Sequence, residues 1–307
     1  MKRKYYYNFN QVSGVLIGTF LGDSIGAKYN GCTVEEISPL DLQTVLKKKP
    51  SLYTDDTQMT ISVFEEMVEN GSIDCQSLGN RFLKRYSPWR GYDGGMLQVI
   101  ERWKDGQEFA SAANELYNGS GSFGDGAAMR SAPISCFFSI YEEEKLFNEV
   151  KKSAVLTHSH PLGIDGAILQ AYAVLLALNN VSPEDWTTRF YKLPIDSAFK
   201  IKFGLIDQCI RKGATPAEIV EKIGNGSDAL SAVPAAIYSV ISNLESFLDA
   251  VLYAISLGGD TDTIGSMAGA IAGARFGISG IPEVLINQLE NETEGKDFIL
   301  DLAKNEE

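Results

Sequence analysis

Only two histidines, His158 and His160, and four cysteines, Cys32, Cys75, Cys136 and Cys209, occur in the 307 residues. The cysteines stand far apart with no C-x-x-C pair, which excludes a zinc knuckle or a dithiol redox motif and reads as reduced thiols in a cytoplasmic protein. Basic residues are scarce as well: 27 Lys and Arg face 40 Asp and Glu, for a formal charge of −13. Nucleic acid and anionic membranes both reward clustered basic side chains, so neither is expected as a partner. We find no run of about 18 apolar residues and expect no membrane span. Met1-Lys2-Arg3-Lys4 is basic but lacks the apolar core of a secretion signal behind it. With no low-complexity linker either, the reading is one domain over residues 1–307, with residues 1–10 and their Tyr5-Tyr6-Tyr7 cluster as a partly ordered tail. Alternating strand patterns are nearly absent, so the expected fold is a compact, orthogonally packed all-α domain.

What the chain does have is acid framed by glycine. Gly258-Gly259-Asp260-Thr261-Asp262-Thr263-Ile264-Gly265 sets two carboxylates beside two hydroxyls, and Tyr53-Thr54-Asp55-Asp56-Thr57 repeats the mixture far upstream. Hard oxygen donors of this kind suit Mg²⁺ or Mn²⁺ rather than zinc or copper. The expectation is that folding brings both loops to one metal centre. The plainer alternative, that Asp260, Asp262 and Thr263 only cap a helix, stays open at this stage. Ile264 to Ala274 continues in helical register with almost nothing but small residues. Each glycine inside a helix costs roughly 1 kcal/mol against alanine, so several together imply close approach of a neighbouring helix.

Upstream, Val12, Val15, Leu16, Thr19 and Phe20 form an apolar stripe on a helix whose far end carries Asp23. Ser38-Pro39 and Ile281-Pro282 read as helix starts, the latter opening a last long helix, and Ser182-Pro183 and Thr215-Pro216 each place a cap before proline. Asn225-Gly226-Ser227 reads as a turn, and Asn305-Glu306-Glu307 as a fraying end. Ser87 to Gly95 mixes aromatics with glycine as binding loops do, with Asp93 inside it. Gly119 to Arg130 can turn successive backbone N–H groups toward one anion at the start of a helix. His158 and His160 lack a third nitrogen or sulfur partner, so a ligand-contacting role is expected of them rather than zinc binding.

Gly22-Asp23, Tyr53 to Thr57, Gly121-Ser122-Phe123-Gly124-Asp125-Gly126-Ala127-Ala128-Met129-Arg130, Thr157 to Pro161 and Gly258 to Thr263 together resemble the ADP-ribosylglycohydrolase family, in order and in spacing, over about residues 14 to 277. The resemblance implies an all-α fold with two Mg²⁺ ions (or Mn²⁺) in a cleft and hydrolysis of the bond joining ADP-ribose to a modified protein, the target of a toxin or of a regulatory transferase. It implies metal ligation by Thr54, Asp55, Asp56, Asp260, Asp262 and Thr263. It also implies ADP-ribose contacts from Gly121, Ser122, Phe123, Gly124, Asp125, Gly126, Met129 and His158. Asp55, Asp56 and Asp93 are the catalytic candidates. Tyr29-Asn30-Gly31 resembles the ADP-ribosylarginine hydrolases, where the branch acting on serine carries a glutamate at the Asn30 position. That makes arginine the expected acceptor, with an O-linked ADP-ribose (serine or O-acetyl-ADP-ribose) or a non-catalytic binder as alternatives. Asp125 stands where asparagine is commoner in the family.

Overall fold

Glycine at every fourth position of two helices decides how this chain packs. In the computed structural model, which describes residues 5–37, 40–48 and 52–304, helix α1 (Phe9–Gly26) carries Gly14, Gly18, Gly22 and Gly26 along one edge. The other longer helices are α2 (Asp55–Asn70), α3 (Cys75–Arg85), α4 (Gly94–Lys104), α5 (Glu143–Ala154), α6 (Pro161–Leu178), α7 (Ser197–Lys212), α8 (Ala229–Ile241), α9 (Phe247–Ser256) and α10 (Thr261–Phe276). A Cβ built on Gly14, Gly18, Gly22 or Gly26 would lie 1.9 to 2.2 Å from the carbonyl oxygen of Gly273, Gly269, Gly265 or Thr261 respectively. The helices therefore run antiparallel in backbone contact, and the small-residue stripe of α10 is explained by that contact.

The antiparallel crossing has a consequence for the site: the C-terminal end of α1, with Asp23, is forced beside the N-terminal end of α10, with Asp260 and Asp262. Around this pair, α10 also packs against α6, α8 and α9, and α1 against α2. Among the described residues there is no β-strand, only an isolated bridge between Gly124 and Asp228. The all-α expectation holds.

Several local expectations are corrected. The N-terminal tyrosines are no tail: Tyr7 is buried, its hydroxyl donates to the Phe138 carbonyl and accepts from Asn179, and Tyr5 stacks on Phe64. Their ring area is removed from water, which outweighs the ordering cost of a short segment. Ile281-Pro282 opens only the four-residue turn of helix Glu283–Ile286; beyond it the chain turns, with Glu290 bonded to Arg90 and Glu294 at positive φ. Helix α6 is long and apolar enough to cross a membrane, contrary to the expectation of no such run. Its side chains are nonetheless buried inside the protein from Gly163 to Leu178 with few exceptions, so protein rather than lipid covers it. Met1–Lys4, the Ser38-Pro39 helix start and the Asn305–Glu307 end lie outside the described residues.

Candidate active site

The upstream acidic loop is held by a buried carboxylate behind it. Asp23 is fully buried, and its Oδ2 accepts from the Thr54 amide (3.0 Å), the Thr57 amide (3.1 Å) and the Thr57 hydroxyl (2.5 Å). Those amides belong to the first turn of α2, whose N–H groups have no partner within the helix. Thr54 caps the same turn through the Asp56 amide and donates its hydroxyl to Asp56 Oδ2 at 3.1 Å. Asp55 and Asp56 are thereby fixed at the positive end of α2.

The downstream loop turns on Gly258 and Gly259, both with φ near +70°, which any other residue would adopt under strain. Gly259 donates to the Cys32 carbonyl and Asp260 to the Asn225 carbonyl, each at 2.9 Å. Asp260 sits at the cap position of α10 yet makes no side-chain cap bond, so capping does not account for it. Asp262 Oδ1 accepts from Asn30 Nδ2 at 2.6 Å.

Folding does bring the two loops together. Asp56, from α2, accepts at Oδ1 from Ser266 (2.6 Å) and at Oδ2 from Thr263 (3.4 Å), both on α10 and more than 200 residues away. Asp260 lies within hydrogen-bonding reach of both Asp262 and Asp125. Burial, with the nearby Asp262 charge second, pushes Asp56 up to about 7 and Asp260 up to about 8. Burial and the same crowd of carboxylates push Asp23, Asp55 and Asp125 upward too.

All of these acids except Asp23 line a cleft of about 670 Å³ with the glycine loop, His158, Met59, Met96 and Tyr117, a size suited to a small organic ligand. Ser122, Phe123, Gly124, Asp125, Gly126 and Met129 face it, as do Asp55, Asp56, Asp93, Asp260, Asp262 and Thr263. Thr54 and Gly121 are not among its lining residues; Thr54 adjoins it through the bond of its hydroxyl to Asp56, and Gly121 is packed so tightly on Ser159 that a Cβ would lie 2.2 Å from the hydroxyl. The glycine loop does not open an α-helix as expected. Residues 126–131 form turns that run into a short 3₁₀ helix, Ala132–Phe137, since Pro133 offers no N–H to continue an α-helical ladder.

His158 sits under that loop, and a Cβ on Gly126 would lie 2.9 Å from its Cε1. Its Nδ1 pairs with the Thr157 hydroxyl at 2.7 Å. Burial, helped by the Arg130 charge, pushes the imidazole down to about 3, so it is neutral at physiological pH. Arg130, wholly buried, donates to Gly126 O, Ser153 O and Thr157 Oγ1. His160 instead caps α6 through the Leu162 amide and packs edge-on to Phe123. Asp93 caps α4 through the Met96 amide at the mouth of the cleft.

Sequence reasoning missed the segment Asn225 to Asp228, which lines the cleft and whose carbonyls hold the amides of Asp125 and Asp260. Its only signal was turn composition.

The donor set suits a hard divalent cation: four clustered carboxylates with threonine hydroxyls, and a buried Asp125 oxygen with no hydrogen-bond partner. Among the described residues no three His, Cys, Asp or Glu side chains already converge as a closed metal cage; the hydroxyls of Thr54 and Thr263 account for part of the set.

An all-helical chain with paired acidic loops over a glycine-loop cleft has the architecture of the ADP-ribosylglycohydrolases. A solved structure titled "ADP-ribosylglycohydrolase-related protein complex" matches over 96% of both chains with a TM-score of 0.74 at 22% identity, a likeness of fold. The sequence model of the ADP-ribosylglycohydrolase family matches residues 6–306. ADP-ribosylhydrolase ARH3 of mouse is 33% identical over 90% of this chain and 86% of its own length. The Xenopus tropicalis protein of the same name is 34% identical over 88% of both. The chain belongs to the ADP-ribosylglycohydrolase family.

Proposed function

We propose that this chain is a divalent-metal-dependent hydrolase that releases ADP-ribose from an O-linked acceptor, a serine side chain or an acylated ADP-ribose, with ADP-ribosylarginine as the second reading. The observation that supports catalysis is the meeting of Asp56 with Thr263 and Ser266 across α2 and α10, which gathers both acidic loops into one cleft. The order of acceptors differs from the expectation drawn from Tyr29-Asn30-Gly31. Asn30 donates its Nδ2 to Asp262, so it serves the acidic cluster and does not by itself mark arginine as the acceptor. The similarity to proteins named ADP-ribosylhydrolase ARH3 supports the same order.

Thr54, Asp55, Asp56, Asp260, Asp262 and Thr263 would hold the metal, Mg²⁺ or Mn²⁺. Bound there, divalent ions supply Lewis-acid orientation of ribose hydroxyls and an acidified water. Asp55 accepts the proton of the water as its oxygen bonds to the anomeric carbon. The bond from that carbon to the acceptor oxygen breaks through an oxocarbenium-like state, and Asp93 at the mouth returns a proton to the leaving oxygen. Backbone amides of Ser122, Phe123 and Gly126 and neutral His158 position the remainder of the ADP-ribose, away from the reacting carbon. The whole chain acts as one domain, in the cytoplasm.

The test is a panel of serine-ADP-ribosylated peptide, arginine-ADP-ribosylated peptide and O-acetyl-ADP-ribose, with free ADP-ribose measured with and without chelator. Release from the O-linked substrates that stops with chelator is expected. Release only from arginine reverses the order, and heat on ADP-ribose binding with no product from any substrate removes the enzyme reading.

A further inference from the structure

Asp125 has nothing positive to answer it. Its side chain is 6% exposed, and Oδ2 has no hydrogen-bond partner, although the residue lines the cleft. The Arg130 guanidinium, which also lines the cleft, donates its two terminal nitrogens to Gly126 O, Ser153 O and Thr157 Oγ1. His158 pairs through Nδ1 with Thr157, and Asp228 turns its own carboxylate to the Ser231 amide. The group that Asp125 does meet is the Asp260 carboxylate, within hydrogen-bonding reach. The backbone leaves little room to withdraw: the Asp125 amide donates to Ser227 O, while its carbonyl accepts from Ala128 and Met129.

Two carboxylates in contact away from water need either a shared proton or a positive partner between them, and the unpartnered Asp125 Oδ2 at the cleft leaves an oxygen for the second. The position sharpens the point, since a carboxylate within a loop suited to anions would repel a diphosphate. A cation held by that carboxylate removes both conflicts.

We propose that Asp125 is a ligand of the divalent-metal centre, forming with Asp260 a further side of it that neither acidic loop supplies. The proposal rests on the metal-dependent reading above and adds one residue to the set of ligands. It adds a metal role to the ADP-ribose contact expected of Asp125.

The test is a titration of metal-stripped full-length protein with Mn²⁺ alone, free ion being followed by electron paramagnetic resonance, for wild type, Asp125→Asn and Asp125→Glu. Circular dichroism checks the fold, and Asp125→Ser repeats the measurement if the amide disturbs the loop. Loss of one Mn²⁺ site, or weakening of it by ~10- to 100-fold with another site unchanged, is expected for the neutral variants, and partial retention for Asp125→Glu. Wild-type binding by the neutral variants overturns the proposal. So does an equal, small weakening of every site that added salt abolishes, because that is the signature of a distant charge. If wild type itself takes up no Mn²⁺, the metal-dependent reading falls and this proposal with it, a result distinct from failure of the Asp125 variants alone.

Discussion

Gly18 and Gly269 touch backbone to backbone: a Cβ on either would lie within 2.1 Å of the other's carbonyl oxygen. Nothing flexible stands between them to give way. Gly269→Ala must therefore part α1 from α10 along its length, and because Asp23 and Asp260 lie at one end of that crossing, the separation reaches the acidic loops. We expect a loss of at least ~3 kcal/mol, the upper range for overpacking, measured by urea unfolding. Gly94→Ala is the control: no atom lies within 4 Å of its Cβ position, so a change within about 0.5 kcal/mol is expected. Equal stability of the two variants would contradict the close crossing.

Asp23 contributes to the site without lining it. Asp23→Asn keeps the shape but turns one of the two oxygens that now accept from the Thr54 amide into a buried donor facing that amide. A buried donor left unsatisfied costs about 1–3 kcal/mol. The expected result is a stability loss of that size together with at least tenfold weaker Mn²⁺ binding, although the residue is too deep to touch the ion. Unchanged Mn²⁺ affinity in a destabilised Asp23→Asn would show that the loop does not depend on this brace.

Metal and stability are linked at the cluster. Divalent ion that binds only the folded chain at about 100 times its Kd adds roughly 2.7 kcal/mol, which corresponds to a rise of several degrees in melting temperature for a domain this large. Wild type is expected to melt higher in millimolar Mg²⁺ than in chelator, and Asp260→Asn to lose most of the difference. A melting temperature indifferent to Mg²⁺ and Mn²⁺ would remove these residues as ligands.

Much of this was legible before folding was considered. Glycine and threonine around Asp55, Asp56, Asp260 and Asp262 announced oxygen chemistry, and the small residues of Ile264 to Ala274 announced a close helix contact. What stayed hidden depends on distant contacts with no local pattern. The turn Asn225 to Asp228 reads as a linker until its carbonyls are seen to hold the amides of Asp125 and Asp260. Asn30 looked like a mark of the acceptor, yet its amide is bound to Asp262 across the fold. The tyrosines at the start looked like a tail because nothing local shows that Phe64 and Phe138 lie beneath them.

His158 gives a pH signature of its own. Its pKa in the folded chain, about 3, lies below the ordinary imidazole value of about 6.5, chiefly because burial disfavours the charged ring. Between those values the unfolded chain binds the extra proton and the folded chain does not, so the stabilisation is fully present above about 6.5 and is lost as pH falls toward 3. Other acids in the cleft titrate over part of the same range, so the informative quantity is a difference between proteins. His158→Gln retains a polar side chain that cannot charge. Its unfolding free energy relative to wild type is therefore expected to improve steadily as pH is lowered from 7 to 4, and a pH-independent difference would mean that His158 is not held neutral beneath the glycine loop.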